Sequence, residues 1–379
     1  MKSHRPIKVM QVIARMNIGG PAILVADLMR NFDSRMVNSI LVTGFCDTNE
    51  SDYLEEVATD LAAIRLPGFG RSISILKDLN AFFLLLKEMR KFKPDIIHTH
   101  TSKAGVLGRI AGLIAAPRAK RVHTFHGHLL HGYFGIGKTQ FVVLIEKLLA
   151  LFTVRLIAIG KKVKSDLLEA GVGNEVKYEI IFPGLQPLQV YPKMQARQLL
   201  GLETSKIYLV FVGRLTQIKR PDRLLQIARF LKTNYPNVLI IVAGDGELLA
   251  TIKSDSNSEG LPLIFLGWRN DIDIILSAAD IAILCSDNEG IPLTLIQAAQ
   301  AGLPIISTDV GSVSDIVTNG VNGLLTETTS ESLISATKSL LDDASMREDF
   351  GKEGQKRANE SFTSTVMVKQ HEKLYSQIV

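Results

Sequence analysis

The chain has 379 residues, 46% hydrophobic and 21% charged, with a formal net charge of +5 and a mean hydropathy of +0.18. That length suits two domains better than one core, and the composition is that of a folded protein, not a low-complexity one. No uninterrupted apolar stretch reaches the roughly 20 residues of a bilayer-spanning helix, and two distant cysteines, Cys46 and Cys285, set no disulfide framework.

The N-terminal segment, residues 1–6, is basic but has no apolar signal core behind it, so the cytosol is the expected compartment. Short β-rich runs bounded by breakers then alternate with helical patterns. Lys8–Ala14, Ser39–Gly44, Ile96–His100, Arg121–Phe125, Leu156–Ile159 and Tyr178–Phe182 read as strands. Ile73–Phe92 reads as a helix ended before Pro94. Pro and Gly cluster from Phe182-Pro183-Gly184 to Tyr191-Pro192 and mark a linker. Beyond it, Ile207–Val212, Val238–Ala243, Leu263–Leu266, Ile281–Cys285 and Pro304–Ser307 are nearly continuous apolar runs, the pattern of parallel strands buried on both faces. The fold class is therefore α/β, with two Rossmann-like doubly wound domains and a cleft between them as the natural substrate site. The expected boundaries are 1–185 and 186–355, with 356–379 a C-terminal helix packing back on the first domain.

Charge divides unevenly. Residues 1–180 hold 25 Lys and Arg against 16 Asp and Glu, or +9; the remainder holds 18 against 22, or −4. A basic half fits an anionic partner or a merely solvated surface.

Three loops in the second half lie at carboxyl ends of predicted strands, where open α/β sheets bind nucleotides. They are Gly213-Arg214-Leu215-Thr216-Gln217-Ile218-Lys219, Ala243-Gly244-Asp245-Gly246 and Asn288-Glu289-Gly290-Ile291-Pro292. Arg214 as a fork and Lys219 as a point charge would bracket a diphosphate; a salt-bridged helix start at Lys219-Arg220-Pro221-Asp222 is the other reading. Pro292 is placed at the first helical position and Gly302 just past the helix end. The free N–H groups of that helix start suit phosphate, whereas Glu289 suits hydroxyl groups. Gln297, on the same helix, either reaches the ligand or is a half-exposed helix residue.

These loops resemble the donor half of glycosyltransferase family 4, retaining and metal-independent enzymes with two facing Rossmann-like domains (the GT-B fold). The likeness extends through Gly19-Gly20, Asp95–His100 and His123-Thr124-Phe125-His126-Gly127 and covers nearly the whole chain. The resemblance implies that Arg214 and Lys219 neutralise the donor diphosphate. Glu289 binds the transferred sugar, and Gly290, Ile291, Pro292 and Leu293 form the backbone wall around it. Gly213, Gly244 and Gly246 belong to the phosphate loops. Gln297 stands where the family usually has a second Glu that grips the ribose, and Asp315 where a Glu is common; both are departures. The implied catalytic set is His126, Arg214, Lys219 and Glu289. The implied donor is a nucleotide-diphosphate sugar, a UDP-sugar favoured over a GDP-sugar, with no resident cofactor, no metal and no nucleic acid.

In the first half, His98 and His100 alternate on one strand and face one way, while His123, His126, His128 and His131 run into a loop. Metal ligation is one reading of that spacing, but no carboxylate or cysteine lies nearby. By the resemblance, His126 hydrogen-bonds the donor sugar. Gly19 and Gly20 either let backbone approach a ligand closely or serve a tight turn. The segments 99–105 and 126–134 are similar to those of bacterial enzymes that build surface polysaccharide on lipid-linked carriers. This implies a lipid-linked glycan acceptor and peripheral contact with anionic membrane at its inner face. Lys103, Arg109, Lys161, Lys162 and Lys164 are the candidate contacts. Two alternatives stand. Gly132–Thr139 satisfies the P-loop pattern of an ATPase or kinase, without a preceding strand feeding it. Gln297 also permits a sugar-nucleotide-binding protein with weak catalysis.

Overall fold

The computed structural model describes residues 5–48, 50–72, 74–127 and 136–379. His128, His131 and Gly132–Gly135 of the P-loop pattern lie outside the described residues, as does the Lys138 side chain.

The chain divides into two compact units, Met1–Gly184 with Ser364–Val379, and Leu185–Thr363. In the first unit the strands are β1 (Ile7–Ile13), β2 (Val37–Thr43), β3 (Ala63–Arg65), β4 (Ile96–His100), β5 (Lys120–Phe125), β6 (Arg155–Ala158) and β7 (Tyr178–Ile180), in the order β3-β2-β1-β4-β5-β6-β7. The second unit has β8 (Ile207–Val212), β9 (Val238–Ala243), β10 (Leu263–Gly267), β11 (Ile281–Leu284), β12 (Ile305–Thr308) and β13 (Gly323–Thr326), in the order β10-β9-β8-β11-β12-β13. Neighbouring strands pair in parallel in both sheets. Each sheet therefore reverses its winding once, between β1 and β4 and between β8 and β11. Ligands of open α/β sheets sit outside the carboxyl ends of strands at such a reversal.

Burial follows the strand pattern. Leu209, Phe211, Ile240 and Val242 pack with Leu224 and Leu231 of the helix Pro221–Asn234 in the second core. In the first unit, Met10, Val12 and Ile97 pack under the helices Ile75–Phe92 and Ser102–Ala115, while Ile13, Leu41 and Val25 form a second layer with the helix Gly20–Asn31. Each such fully buried side chain is worth about 1.5–3 kcal/mol of transfer free energy. The helix before Pro94 starts at Ile75 and ends on Lys93, which takes a left-handed φ of 53° ahead of the proline.

The return to the first unit comes at Ser364, later than the expected 356. The helix Ala344–Ser361 runs unbroken through 356 and stops only at Phe362, whose carbonyl accepts from Leu185 N–H at 2.9 Å. The final helix, Ser364–Ile378, then buries Met367, Val368, His371, Leu374 and Tyr375 at helical spacing against the helix Gly20–Asn31. Ser364 Oγ donates to Asp27, and Asp33 N–H donates to Glu372 at 2.8 Å.

Candidate functional site

Each unit carries a cluster at its own reversal point. In the second unit the loops after β8 and β11 are tied together by Asp287 N–H donating to Ile218 O at 2.9 Å. That tie sets the short turn Gln217–Lys219 against Ser286–Glu289. Lys219 Nζ lies 2.5 Å from Glu289 Oε1, and Ser286 Oγ donates to the same oxygen at 2.6 Å. Thr308, at the end of β12, fixes Ser286 by donating to its carbonyl at 2.6 Å. The helix-start ion pair is real but belongs to Arg220, which binds Asp222 at 2.7 Å and Asp287 at 3.1 Å. Arg223 holds Asp287 at 2.7 Å and Cys285 O at 2.5 Å from beneath. Lys219 is thereby left for Glu289. Arg214 is exposed and makes no ion pair or side-chain hydrogen bond among the described residues.

The loops after β8 and β9 approach backbone to backbone. Gly213 N–H donates to Ala243 O at 3.0 Å, and Leu215 N–H donates to Asp245 O at 2.9 Å. A Cβ on Gly244 would lie 2.0 Å from Gly213 O, and one on Gly246 would lie 2.5 Å from Leu215 O. Both glycines also hold left-handed φ values, 145° and 155°. The protein's own loop packing thus requires them, and they act on the Arg214 loop by setting its position.

Pro292 caps the helix Leu293–Gln300 with an extended ψ of 108°, so the helix starts one residue later than expected. Gly302 ends it at φ 73°. The first-turn N–H groups beside Gly290 and Ile291 are those a helix leaves without an internal acceptor. Gln297 is half-buried, and its side chain makes no hydrogen bond among the described residues. Asp315 is buried on the turn after Ser312, whose N–H donates to Gly290 O at 3.0 Å. Ser312 Oγ is buried there without a partner; sequence reasoning missed it, as it missed Ser286.

In the first unit, His98, His100 and His126 join one hydrogen-bond relay with two residues the sequence reading did not single out, Gln11 and Tyr375. Gln11 Nε2 donates to Tyr375 Oη at 3.1 Å, and that hydroxyl is hydrogen-bonded to His98 Nδ1 at 2.6 Å. His98 Nε2 is hydrogen-bonded to Thr124 Oγ1 at 2.7 Å. Gln11 Oε1 accepts from His100 Nε2 at 2.8 Å, so His100 Nδ1 is bare and accepts from His126 Nε2 at 2.9 Å. His126 Nδ1 ends the relay as an acceptor with no donor, shielded from water. Burial, helped by His371, pushes the His126 pKa down to about 3, and burial holds His98 and His100 well below the ordinary histidine range. His123 stands apart, bonded to Thr99 Oγ1 at 2.8 Å. With both ring nitrogens of His98 and His100 occupied, the pair is committed to the relay. Among the described residues no cluster of three or more His, Cys, Asp or Glu is arranged to hold a metal ion.

Thr101, directly after His100, has a φ of 69° and a buried hydroxyl without a partner. Positive φ is a genuine outlier for a β-branched residue, and such strain clusters at functional sites. Gly19 caps the helix Gly20–Asn31 in an extended conformation, and a Cβ there would meet nothing closer than Asn17 at 3.9 Å. No tight turn requires that glycine.

Of the expected lipid-contacting cations Arg109 is corrected, and Lys103, Lys162 and Lys164 carry ion pairs. Arg109 is fully buried, bonded to Glu146 Oε2 at 2.6 Å and to Gly105 O at 2.7 Å. Lys103 pairs with Asp78 at 2.5 Å, and Lys162 and Lys164 pair with Asp166 and Glu175. Asp166 is one turn from Lys162 on the same helix, whereas the partners of Lys103, Arg109 and Lys164 lie on other elements.

The model of "Glycosyltransferase Family 4" matches residues 18–187, and that of "Glycosyl transferases group 1" matches residues 193–357. A galactosyltransferase of Escherichia coli, named UDP-Gal:alpha-D-GlcNAc-diphosphoundecaprenol alpha-1,3-galactosyltransferase, is 33% identical over 77% of each chain. The capsular polysaccharide glycosyltransferase CapM of Staphylococcus aureus is 24% identical over 81% of this chain and 83% of its own. Among solved structures, Anabaena HepE in complex with UDP and glucose superposes with a TM-score of 0.84 at 21% identity, over 98% of this chain and 100% of its own. No comparison supports the P-loop reading of Gly132–Thr139. Two doubly wound units, two matching models that together span most of the chain, and a relative of this identity agree: the chain belongs to the family 4 glycosyltransferases.

Proposed function

We propose that this glycosyltransferase moves a hexose from a UDP-sugar to a hydroxyl of a lipid-linked glycan, with retention of anomeric configuration and without a metal ion. The setting is bacterial surface polysaccharide synthesis at the inner face of the cell membrane. The observation that carries the donor half of this reading is the Lys219–Glu289–Ser286 cluster at the β8/β11 reversal. A cation and a carboxylate held in contact there give a donor one partner for diphosphate and one for sugar hydroxyls.

In this account Arg214 and Lys219 neutralise the diphosphate, joined by N–H groups at the start of the helix Leu293–Gln300. They stabilise charge that grows on the leaving phosphate. Glu289 accepts from sugar hydroxyls, Gln297 bonds the ribose, and His126 hydrogen-bonds the sugar. The acceptor oxygen attacks the anomeric carbon on the face from which UDP leaves. Its proton passes to the departing phosphate oxygen, so no enzyme base is consumed. The open space over Gly19 suits close approach of ligand to backbone. A UDP-linked donor is supported by the printed name of the E. coli relative and by HepE, solved with UDP and with UDP-glucose. The same E. coli name supports a diphosphate-lipid acceptor.

The test is thermal stabilisation by UDP, GDP, ADP and ATP, with EDTA and with Mg²⁺. Ligand at 100 times its Kd stabilises the native state by about 2.7 kcal/mol. A shift with UDP that EDTA leaves intact is expected. A shift with Mg-ATP alone would overturn the reading.

A further inference from the structure

Three neighbouring helices of the first unit carry apolar side chains outward, where a soluble surface should be polar. On Ile136–Leu151, Phe141, Leu144, Leu148 and Leu151 are 64, 54, 55 and 69% exposed. Their spacing of three, four and three residues puts all four on one face. The adjacent helix Ser102–Ala115, joined to it by the Arg109–Glu146 pair, exposes Ile110 and Ile114 one turn apart. The next helix, Ile75–Phe92, packs on that one and exposes Leu79 and Phe83, again one turn apart. Scattered exposed apolar residues are ordinary, but a contiguous apolar face marks an interaction site.

Charge says what covers it. Toward the carboxyl ends of the same helices stand Lys87, Arg90, Lys91, Arg118 and Lys147, all exposed and none in an ion pair among the described residues. The three helices hold three carboxylates in all. Asp78 is paired with Lys103, Glu146 is buried with Arg109, and Glu88 is half-buried. An apolar plateau with a cationic edge and no free exposed acid matches a bilayer with anionic headgroups. Apolar side chains enter the acyl boundary, and lysines and arginines meet the phosphates. None of the helices is long and apolar enough to cross a membrane.

We propose that this three-helix face seats the protein on anionic lipid. The proposal deepens the membrane contact in the proposed function, and it replaces the paired or buried cations Lys103, Arg109, Lys162 and Lys164 as the contact surface.

The experiment is sedimentation with vesicles of phosphatidylcholine alone and with one-third phosphatidylglycerol, with neither donor nor acceptor present. Failure of the donor chemistry therefore does not affect it, and UDP stabilisation of the same preparations tests that chemistry separately. Wild-type protein is expected to bind the anionic vesicles at least tenfold more tightly than the neutral ones. Leu144→Glu with Leu148→Glu is expected to lower that binding at least tenfold, and Lys87→Glu with Arg90→Glu to lower both binding and its salt dependence. All four side chains are exposed, so thermal stability and UDP binding should stay at wild-type values. Absence of vesicle binding, or equal binding by the Leu144/Leu148 variant, overturns the proposal. So does a wild-type dimer in solution that the same two substitutions dissociate, because the face would then belong to a second copy of the chain.

Discussion

Lys219 and Glu289 are 70 residues apart in sequence and 2.5 Å apart from Nζ to Oε1, held there by the Asp287–Ile218 backbone bond between their loops. Each therefore positions the other before any ligand arrives. Lys219→Ala and Glu289→Ala are each expected to slow transfer by about 100-fold or more, as for loss of one preorganised charge. The double variant should lose less than the product of the two, because contacting residues couple. Steady-state kcat/KM for the three variants checks this, and multiplicative losses would contradict it. Arg214→Ala should cost a similar factor. Its melting temperature should be unchanged, since an exposed, unpaired side chain supports nothing in the fold.

Gly244→Ala tests the loop geometry apart from the charges. The added methyl would meet Gly213 O at 2.0 Å and would sit at a φ of 145°, so backbone must move. The expected result is a stability loss above about 1 kcal/mol, the scale of strain at such a φ. UDP affinity should weaken although no charged group has been removed. Chemical denaturation and UDP titration measure the two effects; wild-type values in both would show that the β8 and β9 loops are not packed as described.

Tyr375 on the last helix tests the relay. Its hydroxyl bridges Gln11 and His98, so Tyr375→Phe leaves Gln11 Nε2 and His98 Nδ1, both buried, without that partner, at a cost of about 1–3 kcal/mol. If the relay sets which nitrogen of His126 is bare, the variant should also lower kcat with little change in UDP affinity. Nitrogen-15 spectra of the histidines read the tautomer directly. An unchanged His126 signature in the variant would separate the relay from His126.

Acid should weaken the first unit. A histidine held neutral by burial takes up its proton only on unfolding. Below the ordinary value of 6.5 the unfolded chain binds that proton and the folded chain does not. Stability therefore falls as pH drops from 6.5 toward the folded values, about 4 for His371 and about 3 for His126. Each contributes at most ~1.4 kcal/mol per pH unit in its window and nothing above it. His98, His100 and His123, also held low by burial, act in the same direction. The melting temperature should be flat from pH 8 to 7 and fall from 6.5 to 5. His371→Gln should reduce the slope. A rise on acidification would contradict the buried neutral cluster.

Particular residues show what was legible in advance. β4, β8 and β9 match their expected bounds to the residue. β8 and β9, buried on both faces, are written as nearly unbroken apolar runs closed by Gly213 and Gly244, whereas β4, Ile-Ile-His-Thr-His, was legible as a short β-rich run between Asp95 and Thr101. β3 and β13 escaped notice because three- and four-residue edge strands with half-exposed side chains carry no such pattern. The loops bearing Arg214, Lys219 and Glu289 were visible because they follow readable strands. Contacts between distant segments were not. Arg109 looked like a surface cation until Glu146, 37 residues on, was seen to bury it. The relay joins Gln11 to Tyr375 across 364 residues, and no local spacing announces it. Gly244 and Gly246 looked like a phosphate cradle, a signature that loop-to-loop packing produces equally well.

Retaining, metal-independent transfer from a UDP-sugar is tested most directly by incubating the protein with UDP-galactose or UDP-glucose and a GlcNAc-diphosphate-lipid acceptor, in EDTA. UDP release is counted, and the new linkage is read by proton NMR. One UDP per α-linked product, at the same rate with and without EDTA, is the predicted result. A β-linked product, or transfer that stops when metal is removed, would contradict it.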